Sequence, residues 1–235
     1  MIVAGLCATS VAFLLVGLSV HSSWRWIAYA LAGYFLLGAG GMVFYSLVGK
    51  LALRERLLDK ISWRGDERVL DVGCGRGLLA VGAAGRLSSG SVVGVDIWSR
   101  GAVSGNSAQS VLKNAEVEDV ADKVQVKEGS ALELPFEDGS FDAVVSNFVV
   151  HELKTRAERE RMMQEIGRVL KPGGSIALVD FIFTDECVED LKKNGVEAAR
   201  IRDGKISYWV SLVLNFGVVK TYHVVGKKKH KSAPQ

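Results

Sequence analysis

Three short stretches of this chain carry residue types and spacings that can do chemistry. The first is "VLDVGCGRGLLA", Val69 to Ala80, where Gly73, Gly75 and Gly77 alternate between a hydrophobic run and a helix-like run. Glycine lets the backbone approach a ligand closely and adopt positive φ. The amides that open the following helix then face that ligand. NAD, FAD and other nucleotides are all held by βα turns of this kind, so the turn alone leaves the ligand open. The second stretch, "SVVGVDIW", ends on Asp96, about 20 residues further on, where a carboxylate grips the hydroxyls of a ribose. The third, "FDAVVSNFVVHEL", brings His151 and Glu152 soon after Ser146, Asn147 and Phe148. A histidine titrating near neutrality can remove a proton or contact a substrate. The plainer alternative is that His151 and Glu152 only open the next helix. Asp71 either supports the glycine turn or is simply a strand-end residue, and Cys74 reads as a small turn residue.

The elements that must position these residues follow from the hydrophobic pattern. Arg68–Val72 reads as a short buried strand, and "LLAVGAAGRL" as the helix after the turn. Three more strand-like runs are "SVVGVDIW", "KVQVKEGSALEL" with Gly129, Ser130 and Ala131 at its end, and "FDAVVSN". "KPGG", Lys171 to Gly174, predicts a turn before a fifth strand, and "TDECVEDLKKNG" a helix closed by Gly195. "VEAARIRD" and "VVKTYHVVGKK" read as a closing antiparallel pair. Strands alternating with helices predict an α/β fold with a mostly parallel sheet and helices on both faces. Ligands of such sheets bind outside the carboxyl ends of the strands.

"VLDVGCGRG", "VVGVDIW", "KEGSALELPFEDGSFDAVVSN" and "IGRVLKPGGSIALVDF" occur in this order over residues 68–229. In that order the chain resembles class I S-adenosylmethionine-dependent methyltransferases, in particular the small-molecule branch of the ubiquinone and menaquinone biosynthesis enzymes. The resemblance implies a Rossmann-like sheet of seven strands and S-adenosyl-L-methionine as cofactor. It places Gly73, Cys74, Gly75 and Gly77 around the methionine portion, with Asp71 beneath the turn. It also assigns Asp96 to the ribose diol, Ile97 and Trp98 to the side of the adenine, Ser130 and Ala131 to its edge, and Asn147 and Phe148 to the methionine end. Many relatives carry an acidic residue where Ser130 stands, so the adenine amino group lacks a carboxylate partner here. A sulfonium cation and two hydroxyls favour nearby carboxylates, which suits Asp71 and Asp96.

The first fifty residues differ in kind. Up to Lys50 the one formally charged side chain is Arg25, and no carboxylate precedes Glu55. Residues 2–20 and 27–48 are apolar runs near the ~20 residues that cross a bilayer. The link "HSSWRW" between them carries the interface-favouring Trp24 and Trp26. Together they predict a transmembrane helical hairpin over residues 1–49, a multi-pass anchor of two spans. The bases Lys50, Arg54, Arg56, Lys60 and Arg64 then set both termini and the catalytic domain on the cytoplasmic side. Small residues in the second run suit helix pairing, within the hairpin or between chains as a homo-oligomer. Residues 50–66 read as an amphipathic connecting helix, residues 67–229 as the methyltransferase domain and residues 230–235 as a flexible tail. The apolar segment 206–217 reads as core, substrate wall or membrane lip.

A net charge of +3, with no basic stripe interleaved with aromatics, argues against nucleic acid as a partner. Cys7, Cys74 and Cys187 have neither metal-ligand nor disulfide-framework spacing, so no metal is expected. The expected function is a membrane-anchored methyltransferase acting on a hydrophobic acceptor: a quinone precursor, an isoprenoid or a lipid. Two alternatives stand beside it. One is a membrane-tethered sensor or scaffold that binds the cofactor without turnover, and the other a nicotinamide-dependent oxidoreductase.

Overall fold

The computed structural model describes residues 2–19, 24–98, 106–202 and 221–230. The chain divides into two compact units, residues 1–53 with 204–220 and residues 54–203 with 221–235.

In the first unit, α1 (Ile2–Ser19) and α2 (Arg25–Phe44) run antiparallel. Phe13 stacks on Phe35 with ring centroids 5.7 Å apart, and the Ser10 hydroxyl donates to the Ala32 carbonyl at 2.8 Å. Gly17 lies against the Tyr29 ring, where a Cβ would collide. Ala28, Ala32 and Ala39 are buried, whereas Leu15, Leu18, Trp26, Leu36, Leu37 and Phe44 are exposed. The hydroxyls of Thr9 and Ser19 donate to carbonyls four residues back, which satisfies them without leaving the helix. A π-helical turn, Tyr45–Gly49, follows α2. Arg25–Leu58 is a helix of 34 residues long and apolar enough to cross a membrane, while Val3–Ser19 is shorter.

Helix α3 (Lys50–Leu58) ends eight residues before the predicted connecting helix does. Its last carbonyls close the helix early. Leu57 and Leu58 accept the amides of Lys60 and Ile61, and the Trp63 indole also donates to Leu58 at 2.9 Å.

The second unit is a seven-stranded sheet in the order β3-β2-β1-β4-β5-β7-β6. The strands are β1 (Arg68–Val72), β2 (Ser91–Asp96), β3 (Val124–Glu128), β4 (Phe141–Asn147), β5 (Leu170–Asp180), β6 (Val196–Arg202) and β7 (Tyr222–Lys228). The first five are parallel, and β7 runs antiparallel to both β5 and β6. Consecutive residues of β1 and β4 are buried, and successive side chains of a strand face opposite ways, so both faces of the sheet are covered. Helices α4 (Leu78–Ala84), α5 (Ala108–Val117), α6 (Arg156–Val169) and α7 (Thr184–Lys193) complete the unit. α6 starts on a capping box in which Thr155 and Glu158 satisfy each other's amides.

The chain winds from β1 outward through β2 to β3, then returns to β4 on the other side of β1. The strand order reverses there, and this switch point opens a crevice outside the carboxyl ends of β1 and β4. The "KPGG" segment is a bulge inside β5 rather than a turn before it. Phe141 pairs with Leu170 and Ala143 with Ser175, so residues 171–174 loop out opposite Asp142 alone. Gly173 takes φ +78° there, and Lys171 Nζ reaches Asp142 at 2.8 Å. Residues 206–217, the first residues of "VVKTYHVVGKK" and the tail 231–235 lie outside the described residues.

Candidate cofactor and acceptor site

The glycine turn rests on the end of β2. The amides of Gly73 and Cys74 both donate to the Val95 carbonyl, at 2.8 and 3.1 Å, and Gly77 N–H closes the turn onto Cys74 O at 2.7 Å. Gly73, Gly75 and Gly77 have φ of +69°, +57° and +84°, which side chains disfavour. A Cβ on Gly73 would strike Val149, and one on Gly77 would come within 2.7 Å of Val111. At Gly75 the nearest atom to a Cβ is Asn106 Oδ1 at 3.4 Å, so this glycine faces the crevice. Cys74 is buried against Gly94, and burial holds its thiol well above the ordinary range, as befits a packing residue and not a nucleophile.

Asp96 ties the turn to the segment after β2. One carboxylate oxygen accepts Gly75 N–H and the other Trp98 N–H, both at 2.8 Å. Trp98 takes φ +40°, a strained value for a side-chain-bearing residue, and its indole N–H returns to Gly75 O at 3.2 Å. Each carboxylate oxygen has a further lone pair for a ribose hydroxyl. Ile97 is exposed beside them, an apolar surface for an adenine face.

Asp71 is buried beneath the turn and accepts the Ala80 amide at 2.8 Å through one oxygen, so it anchors the start of α4. Its other oxygen is buried with no hydrogen-bond partner. Burial, with Asp96 nearby, pushes its carboxyl up to about 7 against the pull of the Ala80 amide.

At the end of β3, Ser130 Oγ accepts the Leu132 amide at 3.1 Å, so the position that lacks a carboxylate is engaged locally, with Ala131 half-buried next to it. At the end of β4, Ser146 Oγ donates to Val72 O at 2.8 Å and binds the two central strands together. Asn147 follows, its side-chain oxygen buried with no partner, and Phe148 turns the chain at φ +55°. His151 and Glu152 lie on a 3-10 turn, Val150–Glu152, and not on the next helix. His151 Nδ1 is 3.2 Å from both oxygens of Asp180, and its Nε2 is 3.3 Å from Glu152 Oε1.

Two residues that sequence reasoning missed therefore belong to the site. Asn106 faces Gly75 with a buried, unpartnered oxygen, and its signal was the "GNS" that opens α5. Asp180 sits where β5 meets "VDF", a strand-end carboxylate of the same type as Asp96. Among the described residues no group of three or more His, Cys, Asp or Glu could hold a metal ion. An open cavity of about 500 Å³ involving α6 and β7, lined by Arg161, Glu165, Arg168 and Lys228, shares no residue with these strand ends.

The orphaned oxygens of Asn106 and Asn147, the two carboxylates and the open face at Gly75 suit a ligand with an ammonium group, a cationic centre and a ribose. A family model described as a methyltransferase domain matches residues 70–178, which span β1 to β5. By that match, this stretch of the chain is a methyltransferase domain. Relatives of this domain include the 27-O-demethylrifamycin SV methyltransferase of Amycolatopsis mediterranei, 33% identical over 55% of this chain and 44% of its own. The chloroplastic 2-phytyl-1,4-beta-naphthoquinone methyltransferase of Arabidopsis thaliana is 33% identical over 54% of this chain and 48% of its own. The chain thus spans less than half the length of these curated relatives. The solved structure of the [4+2]-cyclase SpnF superposes with a TM-score of 0.60 at 19% identity, covering 76% of this chain and 81% of that one, a likeness of fold.

Because Asp71 holds its proton more tightly when folded than unfolded, its contribution to stability is full below about pH 4 and is lost as pH climbs towards 7. Comparing the cofactor-free protein with Asp71→Asn by denaturation from pH 4 to 8 should show the variant gaining on the parent. The gain should be on the order of 4 kcal/mol and level off above pH 7. Parallel stability curves would contradict this assignment.

Proposed function

We propose that this protein is a membrane-anchored methyltransferase that uses S-adenosyl-L-methionine to methylate a hydrophobic or membrane-associated small molecule. The observation that carries the cofactor half is Asp96, whose carboxylate fixes the glycine turn and offers its remaining lone pairs to a ribose diol. Gly73, Cys74, Gly75 and Gly77 would surround the methionine portion, with Asp71 supporting the turn. Asn106 and Asn147 would accept from its donors, and Phe148 would lie at the same end. Ile97 and Trp98 would flank the adenine, with Ser130 and Ala131 at its edge. When bound, the cofactor supplies an electrophilic methyl group. The protein's own share is to hold the acceptor in line with that group, which can account for most of the acceleration. His151 and Glu152 stand on the acceptor side, beyond β4.

The membrane half rests on the helical hairpin. Its exposed large apolar residues are Leu and Val on both helices, joined by Trp26 and Phe44 on the second, a surface that water does not favour and a bilayer does. The bases after it support an orientation with the methyltransferase domain and both termini on the cytoplasmic side. An acceptor dissolved in the bilayer, such as a quinone precursor, an isoprenoid or a lipid, needs an enzyme held at that surface. The named substrate class of the Arabidopsis relative, a phytylated naphthoquinone, agrees with this reading.

Calorimetric titration of S-adenosylhomocysteine should show saturable binding that Asp96→Ala weakens by about 10- to 100-fold, the worth of hydrogen bonds to a charged group. A labelled methyl group should then pass from S-adenosylmethionine into a membrane extract. Binding without transfer would favour the sensor or scaffold instead, and binding of NADH in its place the oxidoreductase. In membrane fractions washed with alkaline carbonate the protein should remain in the pellet, and release into the supernatant would overturn the anchor.

A further inference from the structure

We propose that His151 and Asp180 form a proton-accepting pair, and that the acceptor atom is the oxygen of a hydroxyl group presented beside the adjoining rings of Phe148 and Phe181. This rests on the reading of the domain as a methyltransferase and names the chemistry of its acceptor.

The pair is assembled from two strand ends. After β4 the left-handed turn at Phe148 and the 3-10 turn beyond it carry His151 across to the end of β5. There Asp180 is completely buried, and it accepts the backbone amides of Phe181 at 2.8 Å and of His151 at 3.2 Å. Its two oxygens also straddle His151 Nδ1, each at 3.2 Å. A carboxylate held this way favours the tautomer with the proton on Nδ1 and stabilises the imidazolium that forms when Nε2, which lies 3.3 Å from Glu152 Oε1, takes a proton. Among the described residues, the charged groups facing His151 are Asp180 from β5 and Glu152 from its own turn. Cys187 of α7 lies near Asp180, but burial pushes its thiol up to about 12, so it stays neutral. Glu152 is a poor base by comparison, since its side chain is 76% exposed while the His151 side chain is 22% exposed.

The Asp180 hydrogen bond raises the affinity of His151 for a proton. The neutral imidazole is then a stronger base than free histidine, at the cost of being protonated, and so inactive, in acid. The ring also sits in an aromatic setting, its centroid 4.5 Å from that of Phe181 and 6.3 Å from that of Phe148. These two faces suit a planar or apolar body that carries the reacting group.

A base of this kind selects among acceptors. A neutral amine attacks a methyl group through its own lone pair and sheds its proton afterwards, whereas an alcohol or phenol gains nucleophilicity by losing its proton as it attacks. In the step proposed, the hydroxyl proton goes to His151 Nε2 and the oxygen forms the new bond to the methyl carbon. The methyl–sulfur bond breaks with its electron pair passing to sulfur. The products are a methyl ether, S-adenosylhomocysteine and a proton later released from His151.

The test uses the full chain in phosphatidylcholine vesicles with two probes that share one prenyl tail, a hydroquinone and a primary amine. S-adenosylhomocysteine release is followed from pH 5 to 9. The hydroquinone should be O-methylated and the amine should not, with a rate that falls in acid as His151 protonates. Asp180→Asn keeps the size but accepts only one of the two backbone amides, which reach different oxygens, so the shift of the pH profile, and not the loss of rate alone, separates the proton-accepting role from a structural one. We expect kcat to fall by ~10²- to 10⁴-fold, the usual worth of positioned acid–base groups, with KM for both substrates unchanged and the acid limb moved to lower pH. His151→Gln, on the more exposed partner, should abolish the acid limb and gives a second variant if Asp180→Asn does not fold. Preferential methylation of the amine, wild-type rates and pH profiles in both variants, or no transfer to either probe by a chain that binds cofactor would each overturn the hydroxyl assignment. Absence of cofactor binding by the parent chain would instead remove the methyltransferase reading beneath it.

Discussion

One carboxylate, Asp96, determines whether the crevice has a shape. It holds Gly75 N–H with one oxygen and Trp98 N–H with the other, and the Trp98 indole closes the ring onto Gly75 O. The glycine turn, whose three positive φ angles give it little stability of its own, is thereby fixed to the neighbouring strand. The same carboxylate points lone pairs into the crevice. Local strain and the proposed ribose binding meet at a single group, where the backbone departs from regular geometry at Trp98.

The rest of the sheet serves that junction. The reversal of strand order between β1 and β4 leaves the crevice uncovered, and the Ser146 hydroxyl fastens those two strands at its base. Asp71 anchors the helix after the turn at the expense of burying a carboxylate with one oxygen unpaired. On the other side of β1, β4 and β5 run in register to their ends, with Asn147 opposite Val179, and so deliver His151 and Asp180 to the same place. The site is thus a property of where strands end. The helical hairpin is a separate solution to a separate problem, burying alanines inward and leaving leucines and aromatics outward.

Much of this was legible in the chain, and the reasons are physical. Strands covered on both faces read as continuous apolar runs, so β1, β2 and β4 were found from composition alone. The glycine turn and Asp96 are local signals at fixed spacing. Contacts between distant segments were not legible. Asp180 and His151 are 29 residues apart and meet only because β4 and β5 are neighbours in register, while Asn106 faces Gly75 from a distant point in the chain. The bulge of Lys171–Gly174 within β5 escaped because a glycine-rich tetrad reads as a turn whether or not pairing resumes on its near side. Leu57, Leu58, Ile61 and Trp63 keep helical spacing beyond the end of the connecting helix, although the Trp63 indole in fact closes that helix by taking up the Leu58 carbonyl.

The central claim is that these strand ends hold S-adenosylmethionine with its ribose on Asp96. An experimental structure of the full chain with S-adenosylhomocysteine tests it most directly. Both ribose hydroxyls should lie within hydrogen-bonding distance of the Asp96 carboxylate, with the homocysteine end over Gly73–Gly77 and its sulfur directed towards the side of the crevice that holds His151. An adenosine bound elsewhere, or a ribose that leaves Asp96 engaged only with Gly75 and Trp98, would contradict it.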